Sequence, residues 1–384
     1  MKEKVWKILS YVLVAFVAAG TTVICFLFAQ RNNATKLDEV QALLDECYIG
    51  DINQTALDDA AAAAMVQALD DEWSYYMTKE QYQAYQEASS NSYVGVGITV
   101  QAREDQQGLD IIEVTAGGPA FEVGLQAGDR LTAVNGTSVM ELDIDATADL
   151  IRGEEGSSVE LTVVRGEQTM TVSVVRRRVQ SVVASYEMLE NGVGLITIEN
   201  FDSRCAEETI SAVNALLKQG AQGLVFDVRN NPGGYKDELV KVLDYLLPEG
   251  EVFRAVDYTG KETIDRSGAS YVDVPMAVLV NLHSYSAAEF FAAALNDYDA
   301  AIVVGEKTYG KGYFQTAFEL SDGSAINLSI GKYYTPKGKS LAGIGLTPDV
   351  EVPVDEETAA AIYVGSLEPE EDPQLQAAIN ALGY

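Results

Sequence analysis

No stretch limits what this chain can become as tightly as Val278 to Gln315, where an apolar run, a serine, a helix-like segment, a second apolar run and a glycine-bracketed lysine follow in close succession. Ala277 to Leu282 reads as a buried strand. A helix opens at Ser286, with Glu289 three residues on in the form of a capping box. Ala301 to Val304 reads as another buried strand and leads into Gly310-Lys311-Gly312. A serine that starts a helix straight after a buried strand sits where backbone N–H groups converge and negative charge is favoured. Simple N-cap duty for Ser286 and a solvated loop for Lys311 are the plain structural readings. The two occur together, with Gln315 four residues beyond the lysine, and that combination points to chemistry.

Three chemistries compete for this segment. A Ser-His-Asp triad needs a histidine, and the chain has one, His283, three residues before Ser286. With no second histidine to draw on, the base is better sought elsewhere. A nucleotide-binding loop is the next candidate, because Gly305 to Lys311 has the form G-x-x-x-x-G-K. Gly312 then stands where a magnesium-binding Ser or Thr is required, and Phe314 to Leu328 alternates like strands instead of opening a helix. A Ser–Lys dyad survives both objections. A lysine acts as a general base when neutral, and burial in an apolar setting moves it toward that state. Flanking glycines permit close backbone approach, and such a pair performs acyl transfer through an acyl-enzyme.

The motifs resemble those of the carboxyl-terminal processing peptidases, or tail-specific proteases. The family pattern N-x-x-S-x-S-A-S-E reads here Asn281-Leu-His-Ser-Tyr-Ser286-Ala-Ala-Glu289, and T-F-G-K-G-x-x-Q reads Thr308-Tyr-Gly310-Lys311-Gly312-Tyr-Phe-Gln315. None of the departures removes a reacting group. The resemblance implies that Ser286 is the nucleophile, Lys311 the general base and Gln315 the residue that positions the lysine. A further family motif, D-x-R-x-N-x-G-G, reads Asp227-Val-Arg229-Asn-Asn231-Pro-Gly233-Gly234. It implies that Gly233 or Gly234 supplies one oxyanion-hole N–H, with Ala287 supplying the other; which glycine does so stays open at this level.

The rest of the chain can be placed around that core. Residues 1–30 hold Lys2, Lys4 and Lys7 followed by an apolar stretch from about Ile8 to Ala29, long enough to span a bilayer. A single-pass anchor is expected in preference to a cleaved signal peptide, the alternative left open, with the lysine end cytoplasmic and the catalytic part extracytoplasmic. Residues 31–90 read as a helical region. Residues 91–178 are β-rich, and Tyr93-Val-Gly95-Val-Gly97-Ile98, Gly117-Gly-Pro-Ala and Val134-Asn135-Gly136 resemble a PDZ domain. That resemblance makes Gly95, Val96, Gly97 and Ile98 the loop that receives a peptide's terminal carboxylate. Residues 179–355 alternate strands and helices, as an α/β catalytic domain does, with a crotonase/ClpP-like serine protease core implied by the family. Residues 356–384 carry Glu368, Glu370, Glu371 and Asp372 and read as a solvated acidic tail.

Composition excludes one class of partner. A formal charge of −32 leaves no basic surface to neutralise phosphates, so nucleic acid is not expected. The three cysteines, Cys25, Cys47 and Cys205, have no metal-ligand spacing, and a Cys47–Cys205 disulfide has no support beyond cysteine count. No metal or cofactor is called for. The expected function is a membrane-anchored serine endopeptidase acting on proteins or peptides with flexible C-termini, with oligomeric state left open. The alternatives are a catalytically inactive PDZ scaffold that binds C-terminal peptides, and a crotonase-like acyl-CoA enzyme, which accounts for neither the PDZ-like segment nor the anchor.

Overall fold

Two neighbouring strands of the catalytic part, Gly223–Asp227 and Met276–Val280, show why the core forms where it does. Leu224, Phe226, Met276, Val278 and Val280 enter one apolar cluster, while Val225, Ala277 and Leu279 enter another. Alternate residues of a strand face opposite sides, so strands apolar on both sides must lie inside a layered structure. They sit centrally in a six-stranded sheet ordered Ala184–Met188, Val193–Ile198, Gly223–Asp227, Met276–Val280, Ala301–Gly305 and Val350–Glu351. The first pair is antiparallel and every later pair parallel. Parallel neighbours need long crossovers. Helices Cys205–Gln219, Lys236–Leu246 and Ala287–Asp297 lie within those crossovers and pack Leu216, Leu243 and Phe291 on one face of the sheet. The expected α/β core is thus present in a mixed α/β protein.

The computed structural model describes residues 6, 16–21 and 35–384, apart from 104 and 106. Most of the expected anchor, and Cys25 with it, lies outside the described residues. Among the described residues, no helix is long and apolar enough to cross a membrane. The chain divides into two compact units, 1–65 and 66–384. The first contains helix Lys36–Cys47, opened by a reciprocal Thr35–Asp38 cap, and most of helix Gln54–Gln67. Cys47 and Cys205 are both free thiols, so no disulfide joins them.

Within the second unit two expectations need correction. Tyr75–Met77 was expected inside a helical region and is a strand, with Tyr75 paired to Asn327 and Met77 to Ala325. Three residues are too few to show a period of two, and the partner strand decides the outcome. This strand belongs to a second sheet with Ala325–Tyr334, Gly250–Asp257, Glu262–Ser267 and Tyr313–Glu319. The acidic end of the chain is not simply solvated either. Helix Pro373–Leu382 buries Leu375, Ala378 and Ile379 against the sheet face that carries Val225 and Leu279. Its apolar side chains outweigh the charges before it, one of which, Asp372, caps the helix by accepting from the Gln374 and Leu375 N–H groups.

The β-rich segment forms its own sheet of Ile98–Ala102, Leu109–Val114, Arg130–Val134, Ser158–Arg165 and Gln168–Val175 around a separate core that includes Ile111, Leu131 and Leu161. A two-stranded ribbon of Ser92–Gly95 and Arg177–Gln180 ties its two ends together. Strand Ile98–Ala102 lies at the sheet's edge, and helix Ile144–Ile151 packs beside it.

Candidate active site

Ser286 occupies the turn between strand Met276–Val280 and helix Ala287–Asp297, with φ 58° and ψ −121°. A non-glycine residue at positive φ is strained and persists when its surroundings over-determine it. Here they do. The Ser286 N–H donates to Glu289 Oε1 at 3.2 Å, and the Ser286 carbonyl accepts from Phe290 at 3.0 Å. Upstream, Ser284 Oγ donates to the Val228 carbonyl at 2.7 Å, and the Asn281 amide exchanges bonds with Asn230. The N-x-x-S part of the motif therefore pins the serine turn to the loop that follows strand Gly223–Asp227.

That second loop lies directly under the serine. A Cβ on Gly233, whose φ is +94°, would come within 2.7 Å of Ser286 Cβ and 2.8 Å of the Ala287 nitrogen. Only glycine fits such an approach in that conformation. The Gly233 N–H is already spent on Asn231 Oδ1 at 2.8 Å, and its carbonyl accepts from Phe201 at 2.7 Å. Among the described residues, neither the Gly234 nor the Ala287 N–H has an acceptor. The loop's root is clamped by Arg229, a nearly buried guanidinium that pairs with Asp227 at 2.5 Å and Asp372 at 2.7 Å and donates to Gln374 Oε1 at 3.0 Å. The last two come from the helix at the chain's end. A buried charge without such partners would be severely destabilising.

Glu289 joins the serine to the lysine. It is fully buried, yet besides the Ser286 N–H it accepts from Thr308 Oγ1 (3.0 Å), the N–H groups of Gly310 (2.9 Å) and Lys311 (2.8 Å), and the Tyr333 hydroxyl (3.1 Å). Burial pushes its carboxyl upward, and the hydrogen bonds from Gly310, Thr308, Lys311 and Tyr333 pull it back. Sequence reasoning gave Glu289 only half of a capping box. The signal for more was the one acid within the apolar stretch Ala-Ala-Glu-Phe-Phe-Ala-Ala-Ala-Leu, since a buried carboxylate needs donors from elsewhere.

Lys311 has its backbone fixed by Glu289 but its side chain held another way. Nζ lies 4.2 Å from the centre of the Trp73 ring and 6.0 Å from that of Tyr285. Among the described residues it has no hydrogen bond or ion pair, so it lies near the Ser286 turn, beside Tyr285, without being bonded to Ser286 Oγ. Burial lowers the amine from its ordinary value to about 8, against the opposing pull of the Glu289, Asp71 and Glu72 carboxylates. Gln315 does not reach the lysine in this arrangement. Its Nε2 donates to the Tyr313 carbonyl at 3.3 Å and to Ser329 Oγ at 3.2 Å, across the pairing of Tyr313–Glu319 with Ala325–Tyr334. His283 is exposed, with its backbone N–H on Asn281 Oδ1.

In the β-rich domain, Gly95 ends the ribbon strand and Ile98 begins the edge strand. Between them Val96 and Gly97 are buried, with their carbonyls accepting from Ala120 and Thr115. Among the described residues their N–H groups have no acceptor. An unpaired pair of N–H groups beside a free strand edge is the geometry that takes a terminal carboxylate while the peptide adds a strand.

Comparison with known proteins agrees with these features. The pattern of peptidase family S41 matches residues 192–352, and that of the PDZ domain matches 111–165. A protein of Staphylococcus saprophyticus named "Probable CtpA-like serine protease" is 36% identical over 328 residues, covering 84% of this chain and 66% of that protein. One of the same name from Staphylococcus aureus is 33% identical over 365 residues, covering 91% and 73%. A solved structure from Bacteroides fragilis, assigned to the S41 proteases, is 17% identical, covers 83% of this chain and 89% of its own, and superposes with a TM-score of 0.56, a likeness of fold.

Proposed function

The chain belongs to peptidase family S41, the CtpA-like serine proteases, and on that premise we propose that it hydrolyses peptide bonds near protein C-termini with Ser286 as nucleophile and Lys311 as general base. The observation that carries the reading is Glu289, a single buried carboxylate that accepts from the backbones of both residues and so keeps the hydroxyl-bearing and amine-bearing loops adjacent. In acylation the neutral Lys311 amine takes the Ser286 Oγ proton while Oγ bonds to the scissile carbonyl carbon. The carbonyl π pair moves to oxygen, where the N–H groups of Ala287 and Gly234 receive it. Gly234 is preferred to Gly233 because Asn231 already occupies the Gly233 N–H. The C–N bond then breaks as the Lys311 ammonium protonates the leaving amine. Water, deprotonated by the same amine, hydrolyses the ester and restores Ser286. Preorganised N–H donors of this kind are worth about 100- to 1000-fold each in turnover.

The absence of a Ser286–Lys311 hydrogen bond among the described residues is compatible with the dyad, since catalytic hydrogen bonds often tighten only when substrate binds. Gln315 would reach the lysine only by leaving Ser329, a change that substrate binding would have to drive. The loop Gly95 to Ile98 gathers the substrate's carboxyl terminus, and the substrate lies along the edge strand Ile98–Ala102. The division into a PDZ domain over 91–178 and a crotonase/ClpP-like protease domain over 179–355 follows from this reading. So does attachment to the outer face of a membrane through residues 1–30, which rests on their lysine-flanked apolar stretch. Substrates are proteins with flexible tails. The filled nucleophile and base positions, Ser286 and Lys311, favour this reading over the inactive-scaffold alternative.

The test uses an unstructured protein such as casein together with a β-lactone that acylates active serines. Ser286→Ala and Lys311→Met are expected to abolish both cleavage and labelling while remaining folded. Normal labelling in Lys311→Met would overturn the dyad.

A further inference from the structure

Lys311 lies against a segment that neither matched family pattern covers. Asp71 to Met77 precedes residues 111–165 and 192–352, and it is bound to the catalytic part by strand pairing and two anchoring bonds. Asn327 Nδ2 donates to the Trp73 carbonyl at 3.1 Å, and the Ser329 N–H donates to Ser74 Oγ at 3.0 Å. So anchored, the segment lays the Trp73 ring over Lys311 Nζ at 4.2 Å. Tyr285, next to the nucleophile, and Tyr309, two residues before the lysine, complete a box. Ring centres are 5.8 Å apart for Trp73–Tyr285, 5.5 Å for Trp73–Tyr309 and 5.9 Å for Tyr285–Tyr309. The Tyr309 hydroxyl is tied to Glu72, which fixes that wall to the same segment.

We propose that Trp73 is a positioning residue for the base, its indole face being the seat of the Lys311 ammonium within a box of Trp73, Tyr285 and Tyr309. The proposal rests on Lys311 being the base. An aromatic face attracts a cation, most strongly when it is indole and the cation is partly desolvated. Each turnover passes through a protonated Lys311, first as the amine takes the serine proton and again as it takes one from water. A ring face can hold that charge without competing for the proton, whereas a carboxylate in direct contact would keep the amine protonated. The charged or titratable groups facing the amine are Glu289 from the nucleophile helix, Asp71 and Glu72 from the lead-in segment, and the phenol of Tyr285, against which Tyr309 packs. None of the three carboxylates makes an ion pair with Nζ among the described residues. The indole therefore supplies the direct contact, and the carboxylates act at longer range.

The experiment measures the rate of Ser286 acylation by the β-lactone against pH in the full chain. Removing the ring in Trp73→Leu withdraws stabilisation from the ammonium, so the midpoint of the rising limb should fall by about 0.5 to 1 pH unit. Trp73→Phe keeps a ring face and should stay within about 0.3 unit of the parent. Loss of mere packing would lower the plateau and leave the midpoint in place. The chain has two tryptophans, Trp6 and Trp73, so replacing tryptophan by its fluorinated forms in a Trp6→Phe background alters Trp73 alone with little change of shape. The midpoint should then drop stepwise with fluorine count, even if Trp73→Leu does not fold. An unmoved midpoint in the fluorinated series, with Lys311→Met inert, overturns the role of Trp73 alone. Undiminished acylation in Lys311→Met overturns the dyad beneath it as well.

Discussion

The turn carrying Ser286 is braced from several directions: Glu289 at its own N–H, Phe290 at its carbonyl, Ser284 and Asn281 upstream, and Gly233 packed beneath. The side chain of Lys311 is treated differently. Its backbone is held by the same Glu289, yet the amine at the end of four methylenes has no hydrogen bond among the described residues and lies against the Trp73 and Tyr285 rings. A nucleophile must lie along a fixed line of attack and hold oxyanion donors beside it, so strain and cross-bracing suit it. A base must take a proton, keep it briefly and deliver it to a leaving group, and needs freedom to shift between those positions. The contrast teaches that one carboxylate can fix the backbones of both loops while hydrogen bonds hold the Ser286 turn and ring contacts hold the Lys311 amine.

The harshest way to break the contrast is to remove either reacting group. Ser286→Ala and Lys311→Met should each lose at least about 10,000-fold in casein cleavage, as removal of a dyad member does in comparable hydrolases, with circular dichroism unchanged. Residual activity within about tenfold of the parent in either variant would mean that the chemistry lies elsewhere. Glu289→Gln strikes the shared brace. An amide cannot accept from five donors, so a stability loss of about 3 to 5 kcal/mol is expected in denaturant unfolding, along with about 100- to 1000-fold lower turnover. Parent-like stability would show that the two loops are held together by something else.

Gly233→Ala attacks only the serine side. Its added methyl meets Ser286 Cβ in a backbone conformation that alanine resists, and a displaced nucleophile costs about 100-fold in turnover. The β-lactone should then react slowly in proportion, with the pH midpoint unmoved, because the lysine is untouched. Asp372→Ala sharpens the contrast from farther away. Arg229 keeps Asp227, so the loss should be about 1 to 3 kcal/mol of stability with turnover reduced less than about tenfold. A larger fall in turnover than in stability would place the chain's last helix closer to the oxyanion loop's function than the geometry implies.

The candidate pair Ser286 and Lys311 was legible because both sit in short motifs whose residue types the proposed chemistry demands. The α/β layering was legible too, because strands apolar on both faces leave few other homes. What was lost shares one cause: roles assigned by partners distant in the chain. Trp73 lies in the segment that reads only as a helical region, and nothing local says it meets a lysine more than two hundred residues later. Tyr75–Met77 took its conformation from Asn327 and its neighbours. Asp372 stood in an acidic run that reads as solvent-facing, and only the buried guanidinium of Arg229 makes it structural. Gln315 was expected beside the lysine on motif grounds, while strand pairing sends its amide to Ser329.

The pH dependence of Ser286 acylation, compared in the parent and in Lys311→Met, tests the central claim most directly. Burial holds the amine near 8, and only the neutral form accepts a proton, so the parent's rate should rise through a single ionisation near pH 8 to a plateau while Lys311→Met stays at background throughout. The same limb persisting in Lys311→Met, or a parent rate already flat by pH 6, would contradict a lysine base.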